Sequence, residues 1–258
     1  MSGPGHPCRL RPPRRALPRR ALPHGQAMPE FLYALPILLL LSMGAVQLGF
    51  IYQAKLTLNY AAGVGAREGI LRNGSMNAVL DGLEAGLTPL FAHSLGAPRD
   101  MEMLKNARRA AHTLLADKRL ARVTIVNPSQ AVFTAHSGDS EAGDAIPNDN
   151  LMYRDEGAKG GLSVQDANLL KVHVRICYRL FVPIINKLIY NMAVDPPGGT
   201  PAVSSDAPGM LRSLGGGSTT RPCTDRPSTS DYYLPIESEA VMRMQSPFKH
   251  PGKWVAPT

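Results

Sequence analysis

Glu30 is the one carboxylate at the edge of 22 uncharged residues, Phe31 to Tyr52, and Gly25 stands five residues ahead of it. A carboxylate in apolar surroundings is costly unless it is paired. The plain alternative is an acid at a helix start, where the macrodipole favours negative charge. Gly25 has no side chain, so the backbone around it is unshielded. The other reactive groups are three thiols, Cys8, Cys177 and Cys223.

Other chemistry finds little to stand on. The chain lacks a nucleophile elbow, a Walker loop, an HExxH pair and a CxxC motif, which leaves no constellation for catalysis. The seven histidines are scattered, and His173 reads as an exposed residue on a strand. Asp139, Glu141, Asp144, Asp149 and Asn150 offer oxygens without the spacing of a calcium loop. No metal or other cofactor is expected. The net charge of +8 suggests nucleic acid, but six of the 28 basic residues precede Gly25, leaving 22 against 20 acids. No basic stripe or aromatic platform accompanies them, so a nucleic-acid partner is not expected.

The uncharged run is the element that must position Glu30. At 1.5 Å per residue it spans roughly 33 Å as a helix, enough for a hydrocarbon core of about 30 Å. Arg9, Arg11, Arg14, Arg15, Arg19 and Arg20 precede it, and the positive-inside rule keeps that end in the cytoplasm. This arginine- and proline-rich leader repeats RRALP in tandem (residues 14–18 and 19–23) and has no apolar periodicity. The helix is expected to continue from about Pro29 to Arg72, with a kink at Pro36, and to stop at Asn73-Gly74. Ala61, Gly65 and Gly69 recur every four residues, so one face admits a second helix or lies on the chain's own domain.

Ser75 can cap a second helix with Met76, Val79, Leu80, Leu83, Leu87, Leu90 and Phe91 at helical spacing, against the breakers Gly82, Gly86 and Pro89. Asp100 can cap a third to about Arg119, with an apolar face of Met103, Leu104, Ala107, Ala111, Leu114 and Leu115. Residues 122–127 read as a strand closed by Pro128. Residues 134–166 look polar and loop-like. Lys171 to Tyr178 alternate as a strand with Val172, Val174, Ile176 and Tyr178 on one face. Pro183 opens a brief amphipathic helix carrying Ile184, Ile185, Leu188, Ile189 and Met192. Residues 195–230 are too rich in Pro, Gly, Ser and Thr to bury a core. A last strand fits 236–245, and 247–258 looks like a tail. The fold class is α+β.

If the run crosses a membrane, Cys177 and Cys223 share an oxidising space while Cys8 stays behind. The two either meet, should the final strand pair near the first, or remain separate thiols.

The stretch from Gly25 to Gly69 resembles the N-terminal segment of TadE-like proteins, the pseudopilins or minor pilins of the tight-adherence (Flp) type IVb pilus system. The likeness rests on Gly25-Gln26-Ala27, Glu30-Phe31 and Leu35-Pro36-Ile37-Leu38-Leu39-Leu40-Leu41. It also rests on Tyr52, Ala54-Lys55, Ala61-Ala62 and Gly65-Ala66-Arg67-Glu68-Gly69. Val172 to Met192 and Ala240 to Gln245 are more weakly similar to the periplasmic part of such proteins. The resemblance implies a pilin-like fold with a basic leader (1–25), a transmembrane assembly helix (26–73) and a periplasmic domain (74–258) interrupted at 195–230. It implies cleavage between Gly25 and Gln26 by a prepilin peptidase. It further implies assembly through Glu30 and Phe31, with Glu30 facing a neighbouring subunit's amine, and a disulfide-bounded loop at Cys177 and Cys223. The implied location is the bacterial inner membrane, single-pass with the N-terminus inside. The implied partners are prepilin peptidase, other pilins and assembly proteins of the Tad system, and inner-membrane lipid.

Two other classes compete. A secreted or surface-binding domain would use the run as a conventional signal peptide, with Ser42-Met43-Gly44 before a cut at Ala45. A membrane-anchored enzyme would need a constellation that the residues do not supply.

Overall fold

The computed structural model describes residues 27–92, 101–139, 144–194, 223 and 231–256. The expected leader, the cap at Asp100 and the insertion at 195–230, apart from Cys223, lie outside them. The chain divides into two compact units, Met1–Leu41 and Ser42–Thr258. Helix α1 (Ala27–Leu71) supplies the described residues of the first and opens the second, and Pro36 is accommodated within it.

In the second unit the architecture is α+β. Helices α2 (Met76–Phe91) and α3 (Met101–Ala116) follow α1, then strand β1 (Ala121–Asn127). Helix α4 (Gln130–His136), strand β2 (Ala145–Ile146) and helix α5 (Val164–Ala167) lead to β3 (Leu169–Arg179). Helix α6 (Ile185–Ala193) and strands β4 (Tyr233–Arg243), β5 (Phe248–Lys249) and β6 (Val255–Ala256) complete it. The main sheet is antiparallel in the order β4-β3-β1-β6, with β3 and β4 in register from Leu169 opposite Arg243 to Arg179 opposite Tyr233.

One face of the sheet is Leu170, Val172, Val174 and Ile176 with Val123, Ile125 and Ile236, all buried. The alternation of β3 dictates this face, and Tyr178 extends it to a half-buried edge. Against it lie Ala54, Leu58, Ala61, Ala62, Ala66 and Ile70 of α1 and Met76, Val79, Leu83 and Leu87 of α2. The helix admitted by the small face of α1 is therefore α2 of the same chain. A Cβ on Gly86 would fall 2.5 Å from the Ala61 Cα, and one on Gly82 would fall 2.8 Å from the Gly65 Cα. Gly82 and Gly86 look like breakers in isolation; here they are the surface that lets two backbones touch.

Several local expectations are corrected. Ser75 stands at the N-cap of α2, but its side chain makes no capping bond. The Met76 amide is satisfied instead by the Pro251 carbonyl at 3.2 Å. Helix α3 ends at Ala116 rather than Arg119, because Asp117 turns the chain by accepting from the Arg119 amide at 2.9 Å. Leu104 is exposed, so only Ala107, Ala111 and Leu115 of its face are buried.

The segment that reads as a polar loop contributes Ile146, Leu151 and Val164 to the core. Its apolar residues are too sparse for a periodic pattern, and tertiary contacts alone order them. The apparent tail does the same. Phe248 is fully buried above Gly74, whose φ of +73° and lack of a Cβ make room for the ring. The Asn73 carbonyl accepts from the Lys249 amide at 3.0 Å, and Trp254 Nε1 donates to the Pro128 carbonyl at 2.7 Å. The last strand starts at Tyr233, earlier than expected, since Pro235 needs no ladder partner on an edge strand.

Candidate membrane and assembly helix

Helix α1 changes character along its length. From Phe31 onward Leu32, Tyr33 and Ile37 to Leu41 are exposed, and the first buried side chain among its described residues is Gln47. From there Gln47, Ile51, Ala54, Leu58, Ala61/Ala62, Ala66 and Ile70 form one buried line at steps of three and four. A polar residue heads this line because its chemistry is used. Gln47 Oε1 accepts from the Val182 amide at 2.8 Å in a fully buried site. Ile51 packs with Leu180, Tyr190, Ala193, Val194 and Leu234. One turn further on, the Lys55 ammonium donates to the main-chain carbonyl of Glu237 on the edge strand β4.

Among the expected site residues, Gly25 and Gln26 lie outside the described set. Glu30 is in the first turns of α1, and Phe31 beside it is exposed. Cys177 and Cys223 are joined by a disulfide with the Cα atoms 5.7 Å apart, and both cysteines are buried with Tyr233. The Cys177 amide also donates to the Leu120 carbonyl at 2.7 Å, which fixes that end of the bridge against the start of β1.

His173 is not simply exposed. Its Nε2 lies 3.3 Å from a carboxylate oxygen of buried Glu237, one rung away from the Arg175–Glu237 pair. Burial disfavours the charged form of Arg175 and lowers its pKa, while Glu237 acts in the opposite direction. Sequence alone assigns Gln47 no role, and it brings in Lys55 only through the TadE-like likeness. Their signal was there: Gln47 is the lone amide of the uncharged run, and Lys55 is the first charge after it.

A helix with an exposed apolar segment followed by a docked one has the length and composition to cross a membrane; the candidate span is Phe31–Leu71. It fits a single-pass membrane protein. The family model described as TadE-like protein matches residues 25–67. The chain carries a TadE-like N-terminal segment. That segment covers about a sixth of the chain and ends inside α1 at Arg67, four residues before the helix does. The likeness noted for 172–192 and 240–245 lies beyond it. No curated protein and no solved structure matches the chain. The TadE-like segment indicates a role connected with Tad pili. It thus contains both the exposed apolar stretch and the anchoring residues Gln47 and Lys55.

Proposed function

We propose that this chain is a membrane-anchored pseudopilin that takes part in assembling or anchoring a type IVb (Tad) pilus for adhesion. The observation that carries the reading is the TadE-like match from Gly25 to Arg67, which begins at the expected cleavage junction and continues along α1. In this reading residues 1–25 are a cytoplasmic leader removed by prepilin peptidase, and 26–73 form the transmembrane assembly helix. Residues 74–258 form the periplasmic domain, with 195–230 as a displayed insertion. Gln26 then carries the new α-amino group, and Glu30 pairs with the amine of a neighbouring pilin in the inner membrane. The disulfide supports an oxidising location for the domain. The role is structural, with no catalytic group, cofactor or nucleic-acid partner assigned.

Mass spectrometry of the N-terminal peptide from native membranes tests the reading. The expected mature chain begins at Gln26; an intact leader sinks the proposal.

A second reading has one specific observation in its favour. A conventional signal-peptide cut at Ala45 would leave a secreted domain that keeps Gln47 and every buried α1 residue after it. Against it, the TadE-like match extends on both sides of Ala45. A mature start at Ala45 in the same experiment would establish this alternative.

A further inference from the structure

Helix α6 is two-faced in a way the domain itself does not use. Ile185, Tyr190 and Ala193 are buried, and Ile189 is half-buried against the same cluster. On the helix Leu188 and Met192 are 45% and 64% exposed, and just before it Phe181 and Ile184 are 58% and 71% exposed. Leu188 and Met192, four residues apart, share one face of α6, while Phe181 and Ile184 belong to the turn that leads into it. Single exposed apolar residues are ordinary, but four of them in twelve consecutive residues make a row that marks a surface with a partner.

The backbone is strained at the head of this row. Ile184 has φ +69° and ψ −54°, and the Ile185 amide donates to the Pro183 carbonyl at 2.8 Å, a γ-turn rarely adopted by a β-branched residue. The turn leaves Ile184 exposed while Ile185 enters the core. A turn of this kind persists only where surrounding contacts enforce it.

Position along α1 says what the partner is. The Val182 amide is bonded to Gln47, and the inner face of α6 packs with Ile51. Both residues belong to the last part of the uncharged run. A bilayer core of about 30 Å takes about 20 residues of helix, so a span starting at Phe31 leaves the hydrocarbon near Phe50. Phe50 and Tyr52 are exposed there, and tyrosine in particular favours the boundary between lipid and water. Residues 180–194 contain no acid and a single charge, Lys187, whose long stem can keep its ammonium in water.

We propose that Phe181, Ile184, Leu188 and Met192 lie in the interfacial layer of the bilayer that α1 enters. They would give the domain a second seat on the membrane, as interfacial amphipathic helices do. A second protein copy is disfavoured because a stable interface engages about 20–30 residues a side. Lipid needs only apolar area. The inference rests on the membrane-anchored reading above.

The test uses the full chain carrying Cys8→Ser, the native disulfide intact, and one labelled cysteine at a time: Leu188→Cys, Met192→Cys, Leu38→Cys or Met152→Cys. All four positions are exposed, so labels leave the core alone. In phosphatidylcholine vesicles with a shallow nitroxide lipid, labels at 188 and 192 should be quenched several-fold more than the label at 152 and be shielded from aqueous iodide. If they behave like 152 while the label at 38 is quenched from within the bilayer, the seat is overturned and the anchor stands. If the label at 38 also escapes lipid quenching, both fall. Iodide shielding at 188 and 192 that grows with protein density, without lipid quenching, would assign the face to a protein contact and overturn the proposal.

Discussion

A Cβ built on Gly86 would stand 2.5 Å from the Cα of Ala61, a backbone atom that cannot rotate away. Gly86→Ala must therefore separate α1 from α2. Overpacking costs about 1–3 kcal/mol, and the better helix propensity of alanine returns about 1 kcal/mol. Net destabilisation is expected. A Cβ on Gly63 would meet nothing within 4 Å, so Gly63→Ala should keep stability or raise it by up to about 1 kcal/mol. Thermal unfolding of the two variants side by side checks the opposite signs.

Tyr178 gives a second residue-level prediction. Burial raises its pKa above the ordinary value of about 10. The folded state then holds the phenolic proton more tightly than the unfolded state does. That contribution is complete below about pH 10 and is lost as pH rises through the folded value. Tyr178→Phe should flatten the alkaline loss of stability, measured by denaturation at a series of pH values; an unchanged slope would assign it to other groups.

At the scale of elements, the joint between α1 and the segment leading into α6 depends on one amide. Gln47→Leu would bury the Val182 N–H without an acceptor, a loss of about 1–3 kcal/mol. Hydrogen exchange should show it as faster exchange across 180–194, with β1 and β3 unaffected. Uniform acceleration over the whole domain would mean that α6 does not open on its own.

The cysteine bridge acts on a longer stretch. It closes a separation of 46 residues, and a loop of that size carries about 4 kcal/mol of chain entropy. Cys177→Ser with Cys223→Ser should lower the unfolding midpoint markedly in oxidising buffer, and dithiothreitol should then have no further effect on the double variant.

For the whole molecule the question is which side of the membrane holds the domain. Six arginines precede the uncharged run, and only Lys55 follows closely. The positive-inside rule then predicts a C-terminus on the outer side. A C-terminal alkaline-phosphatase fusion should be active in cells, whereas a stable but inactive fusion would reverse the orientation.

The order of elements was legible from residues because each carries its own period. The uncharged run declares α1, the alternation of 171–178 declares β3, and the apolar spacing of 76–91 declares α2. The α+β class follows from those stretches, and the TadE-like resemblance from the residues between Gly25 and Gly69. What the sequence could not decide is which surfaces meet. Gly82 and Gly86 lower helix propensity locally, and only the approach of Ala61 and Gly65 explains them. Phe248 sits in a stretch with no period, and its burial depends on the turn at Asn73-Gly74, 174 residues earlier. Ile184 and Ile185 are chemically identical neighbours, yet one is exposed and the other buried. Periodicity is a local property that a chain shows by itself; burial and close approach belong to pairs of segments, and tertiary structure alone brings those pairs together.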